Sequence, residues 1–144
     1  MDSNDPLVLA DNLRAPLLRV SRRLRQEAQR VGSSALDGLI LGQIRRCPGV
    51  GVSELAEAEH MSRPSMSSHV KRIEAAGWIV RDQSAEDGRR SGFRITPEGQ
   101  AQLDAIRQTR NDWLAARIAR LDPASREALA AAQGALLELL SLDP

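Results

Sequence analysis

Aromatic residues are nearly missing from this chain: its 144 residues include two tryptophans, one phenylalanine and no tyrosine. A core this poor in rings has to be assembled from Leu, Ile, Val and Ala, which suits packed helices better than a β-sandwich. Cys47 is the only cysteine, so no disulfide can form within the chain. No apolar run approaches the roughly 18 residues of a membrane-spanning helix. The opening MDSNDP carries no signal-peptide pattern, so a cytoplasmic setting without a membrane partner is expected. There is no phosphate-binding glycine loop, no nucleophile elbow and no convincing carboxylate pair, which argues against an enzyme. His60 and His69 have no ligand-spaced Cys or His near them, so neither metal nor cofactor is expected.

With 42% hydrophobic and 27% charged residues, the chain has the balance of an ordinary globular protein. Its net charge of +1 hides an asymmetry. Between His60 and Thr96, seven cations (Arg63, Lys71, Arg72, Arg81, Arg89, Arg90 and Arg94) face four acids (Glu74, Asp82, Glu86 and Asp87). That local excess of +3 leaves −2 for the remainder. A modest basic patch on a nearly neutral protein fits groove binding by a small module.

Along the chain, Asp5-Pro6 reads as a helix cap followed by proline. Leu13, Leu17, Val20, Leu24, Ala28 and Val31 then form one helical stripe up to Gly32, with a kink or a fresh start expected near Asn12–Pro16. A second helix is predicted from about Ala35 to Arg46, with Leu36, Leu39, Ile40 and Ile44 inward. Ser53 is predicted to cap a short helix over Glu54–Glu59. His60-Met61 turns the chain, and Ser62 caps a helix over Arg63–Ala76 that Gly77 closes. Trp78–Asp82 and Gly92–Ile95 read as paired strands around the polar loop Gln83–Ser91. Thr96-Pro97 and Asp122-Pro123 each launch a further helix with an apolar side. The fold class expected is mainly α with a small β-hairpin.

On the helix after Ser62, Met66, Val70 and Ile73 cluster within about 60° at 100° per residue, which marks the packed side. The other side carries Pro64, Ser65, Ser67, Ser68, Lys71 and Arg72, small hydroxyls first and cations further along. Small residues let a helix backbone approach base edges, and Ser donates to or accepts from any base. Lys71 and Arg72 are spaced to reach phosphate or guanine, and Arg63 in the first turn reaches either. A solvated helix face is the plain alternative for this helix in isolation. The loop that follows weighs against it. Gly88 lets the tip turn, Arg89 and Arg90 project from it toward a narrow minor groove, and Asp87 is suited to hold an arginine. A winged helix that binds a protein instead would be expected to show exposed aromatics or aliphatics on that face, and this one does not.

From about Leu36 to Gly99 the sequence resembles the MarR family of winged helix-turn-helix regulators. The residues that carry this are Val52-Ser53-Glu54-Leu55-Ala56, the stretch Ser65–Gly77 into Trp78-Ile79, the wing Asp87-Gly88-Arg89-Arg90, and the exit Ile95-Thr96-Pro97-Glu98-Gly99. Gly88 stands at the middle, basic position of the family's usual Asp-Arg-Arg or Asp-Lys-Arg wing, with Arg89 at the final Arg and Arg90 a partial replacement, which weakens the expected phosphate contacts there. The resemblance implies a homodimer with interlocking terminal helices on palindromic double-stranded DNA, usually repressing, often released by a small aromatic or phenolic ligand. The corresponding segments are residues 1–34 and 100–144 for dimerisation and 35–99 for the DNA-binding module. Cys47 is read as a small buried hydrophobe in preference to a redox sensor, and Trp113 as core or interface before ligand pocket. If the wing reading is right, Arg89→Ala weakens binding to a specific duplex by about 1–3 kcal/mol without unfolding the protein. Unchanged affinity in a titration at physiological salt would remove the wing from the interface.

Overall fold

The computed structural model describes residues 2–82 and 92–142. Its elements are six α-helices and one antiparallel hairpin: α1 Pro6–Gln26, α2 Asp37–Arg46, α3 Val52–Ala58, α4 Arg63–Ala75, β1 Ile79–Asp82, β2 Gly92–Ile95, α5 Pro97–Ile118 and α6 Pro123–Ser141. A 3-10 turn, Glu27–Val31, extends α1, and Gly32 ends it in the left-handed region at φ 78. The chain divides into two compact units, Met1–Arg110 and Asn111–Pro144. No helix among the described residues is long and apolar enough to cross a membrane.

The first unit is organised around a buried set that lies mostly on the faces the sequence periodicity places inward; Leu41 and Phe93 are additions to it, and Leu36 and Leu39 are only half-buried. Ile40, Leu41 and Ile44 of α2, Leu55 of α3, Met66, Val70 and Ile73 of α4, Phe93 of β2, and Leu103 and Ile106 of α5 are all essentially buried. Each such side chain contributes roughly 1.5–3 kcal/mol relative to exposure. The hairpin pairs Ile79 with Ile95 and Asp82 with Gly92. A further backbone bridge ties its second strand to the loop between α2 and α3. Gly49 N–H donates to the Phe93 carbonyl at 2.9 Å, and Phe93 N–H donates to the Val50 carbonyl at 2.9 Å. The approach is so close that a Cβ on Gly92 would lie 1.7 Å from the Gly49 oxygen.

Several local expectations change. The helix α1 continues through Pro16 as one element. The proline removes the amide that would bond the Asn12 carbonyl, and both residues are exposed. The helix α2 starts at Asp37 instead of Ala35. Gly51, not Ser53, caps α3. The Glu54 carboxylate reaches back to accept from Gly51 N–H at 3.2 Å, and the helix gains two residues at its start. Cys47, expected to be buried, is exposed at the end of α2.

No residue of α1 or of α6 is buried. On α1, Leu13, Leu17 and Val20 keep 39%, 43% and 43% of their surface exposed. On α6, Leu129, Leu136, Leu137 and Leu140 are exposed as well.

Gly92→Ala is expected to lower stability by about 1–3 kcal/mol or more, because a backbone carbonyl cannot give way as a side chain does. Thermal unfolding followed by circular dichroism measures it; an unchanged midpoint would mean that the Val50–Phe93 bridge is not a fixed feature of the fold.

Candidate nucleic-acid interface

The segment from α3 to the hairpin is built by a series of local devices. After α3 the chain reverses at His60, which sits in the left-handed region at φ 52. His60 N–H donates to the Glu57 carbonyl at 3.2 Å and Met61 N–H to the Ala56 carbonyl at 2.9 Å, so the turn leaves few free backbone groups. Ser62 then caps α4: its Oγ accepts from Ser65 N–H at 3.3 Å and donates to Ser65 Oγ at 3.0 Å. Pro64 stands in the first turn, where no amide is needed. At the far end Gly77 takes φ 82 and closes the helix.

Thr96 joins the exit of this module to its centre. Its hydroxyl donates to the Gly77 carbonyl at 2.6 Å and accepts from Gly99 N–H at 2.9 Å. Its own N–H donates to the Trp78 carbonyl at 3.0 Å. One side chain thus caps α5 and fastens that cap to the end of α4. Gly99 allows this contact, since a Cβ there would meet the Trp78 oxygen at 1.9 Å.

With Met66, Val70 and Ile73 turned into the core, the opposite side of α4 is open. Arg63, Pro64, Ser65, Ser68 and Lys71 are exposed and Ser67 partly so. Ser68 Oγ donates to the Pro64 carbonyl at 3.2 Å, which leaves its lone pairs available as acceptors. Arg63 and Lys71 form no ion pair among the described residues. An open cleft of about 570 Å³ lies beside the start of α4, lined by Cys47, Gly49, Val52, Arg63, Arg81 and Phe93 among others. Arg81 lies over the Phe93 ring, 5.2 Å from its centroid, and Arg94 pairs with Asp82 at 2.5 Å, which stiffens the base of the hairpin. Asp87, Arg89 and Arg90 of the expected wing tip lie outside the described residues.

Arg72 is elsewhere than expected. Instead of presenting its guanidinium with Lys71, it turns to α2 and forms a two-pronged ion pair with Asp37, at 2.5 and 3.1 Å. Asp37 is fully buried, while the Arg72 side chain remains 45% exposed. The physical reason is the carboxylate itself, which without this cation would be a buried charge lacking a partner. Burial pushes the Asp37 carboxyl up, but hydrogen bonds from Arg72 and Ser34 outweigh that and hold it below its ordinary value; Asp37 in turn raises Arg72. Ser34 N–H and Oγ both donate to the same carboxylate at 2.7 Å. Ser34 and Asp37, which hold Arg72 here, were not singled out by sequence reasoning. A signal was present, since a serine followed three residues later by an acid at a helix start is the pattern of reciprocal capping.

Comparison with known proteins gives a consistent picture. Residues 34–91 match the model of the MarR family. An HTH-type transcriptional regulator of Mycobacterium tuberculosis is 29% identical over 94% of this chain and 95% of its own length. A crystal structure of a candidate transcriptional regulator from Pseudomonas aeruginosa superposes with a TM-score of 0.81 at 34% identity, covering 99% of this chain and 100% of that one. The complex of Staphylococcus aureus MepR with DNA shares the fold, with a TM-score of 0.58 at 18% identity over 97% of this chain and 99% of that one.

The Asp37 pairing predicts a pH dependence. Its folded value lies below the ordinary 3.8, so its stabilisation is present above that value and is lost as pH falls through the folded one. Asp37→Asn should therefore destabilise the protein at neutral pH by about 1.5–3 kcal/mol, the range for hydrogen bonds to charged groups. The gap between wild type and variant should narrow below the ordinary carboxylate value in urea titrations across pH. A constant gap would mean that Asp37 is not charged in the fold.

Proposed function

This chain belongs to the MarR family of transcriptional regulators with a DNA-binding winged helix, and we propose that it acts as a homodimeric repressor on a pseudo-palindromic operator. The observation that carries the DNA-reading half is the exposed face of α4. Small hydroxyls at Ser65, Ser67 and Ser68 stand ahead of the exposed Lys71, on a helix whose other face is buried. In this reading Pro64 and the serines lie along base edges in the major groove, and Arg63 and Lys71 meet phosphate or guanine. Arg89 enters the minor groove, with Arg90 beside it and Asp87 orienting it.

The pairing half rests on the bare apolar faces of α1 and α6. Residues 1–34 and 100–144 would bury them against a second copy as an isologous interface, leaving residues 35–99 to read DNA. Two recognition helices about 34 Å apart would then meet successive turns of one face of the duplex. Release by a small aromatic ligand, on the strength of the family resemblance, and action in the cytoplasm complete the proposal.

Selection of bound duplexes from a random pool, at about 150 mM salt so that nonspecific phosphate binding is suppressed, is expected to enrich a pseudo-palindrome with half-sites about 10 bp apart. Failure to enrich any sequence would leave a missing co-ligand or a winged helix that binds protein. Sedimentation at micromolar concentration is expected to give a dimer, and Leu136→Glu to shift it toward monomer; a monomeric wild type would sink the pairing.

A further inference from the structure

We propose that Arg72 is a positioning residue, whose clasp on Asp37 sets the angle at which α4 meets DNA. This rests on the DNA-reading assignment of α4 above. The Asp37 carboxylate is saturated. Oδ1 accepts from Ser34 Oγ and from Arg72 Nη2, and Oδ2 accepts from Ser34 N–H and from Arg72 Nη1. Nη2 also lies 3.2 Å from Ser34 Oγ and 3.4 Å from His69 Nδ1. With the clasp closed, Asp37 is at 0% exposure, and Arg72 is the cation paired with it. Swinging the guanidinium away to a phosphate would cost Asp37 both of these charge-assisted bonds, which holds the side chain against α2.

The clasp supplies what the apolar packing lacks. Met66, Val70 and Ile73 hold α4 down, but contacts of that kind are not directional. A planar fork on a carboxylate is directional, and it joins helices 35 residues apart in sequence at one angle. It also sits at the end of α4 away from the serines. From Arg72 to Ser65 the helix rises about 10 Å. A pivot of about 10° at the clasp therefore moves Ser65 by roughly 2 Å, enough to break a hydrogen bond to a base edge.

The test compares wild type, Arg72→Lys, Arg72→Gln, Asp37→Asn and Lys71→Gln on the duplex selected above, across a salt series. Hydrogen exchange of the α4 amides in the free, folded proteins is measured alongside. Expected is a loss of affinity of about 10-fold or more for both Arg72 variants, since lysine cannot reproduce the fork. The slope of log affinity against log salt should stay at the wild-type value, and α4 exchange should rise. Asp37→Asn should behave alike if it folds; the two Arg72 variants decide the matter without it. Lys71→Gln is the contrast, lowering the slope by about 0.9 for each phosphate that the lysine neutralises. Wild-type affinity in Arg72→Lys, or a Lys71-like fall in slope in Arg72→Gln, would make Arg72 a DNA contact and overturn the proposal. Should wild type select no duplex, the DNA reading fails separately. Exchange then still decides whether Arg72 positions α4, with unchanged protection in both variants overturning it.

Discussion

Burial of one side of α4 is the constraint on which the rest of this structure depends. Met66, Val70 and Ile73 are each within about a percent of complete burial, and they fix which side of the helix is left outside. Everything around them serves that placement. The left-handed His60 delivers the chain to Ser62, Ser62 starts the helix, Gly77 ends it, and Thr96 ties its end to α5. None of these devices is a strong interaction alone. Together they leave the helix one seat and one free face.

Much of this was legible in the sequence because it is encoded locally. Caps, proline positions and a helical period of apolar residues are read within a dozen residues, so α4, the two strands and the starts of α5 and α6 fall where expected. The Met66, Val70 and Ile73 side could be found by angle alone. Where the reading went astray, the deciding partner was distant in the chain or the competition was between near-equal options. Ser53 and Gly51 both suit a cap, and the reach of Glu54 to the Gly51 amide settles it. Pro16 stays inside a helix, at a position exposed on α1.

Arg72 shows the limit most plainly. Helical angle put it beside Lys71, and for a residue with a long flexible side chain angle is only a weak constraint. The position of its guanidinium is decided by a carboxylate in another helix, and nothing in the spacing of α4 reveals that. Cys47 is similar: composition makes a lone cysteine a buried one, whereas the end of α2 happens to face outward.

The side chains that hold α4 and those it displays are separate sets. Ser65 and Ser68 are exposed and bond only to Ser62 and Pro64 beside them, so replacing them disturbs no core packing and strands no buried charge. Substitutions on that face are therefore cheap in stability, and a copy of this gene could drift toward a different target one residue at a time. The fold separates what must be kept from what is free to vary, which is the condition for a scaffold to diversify.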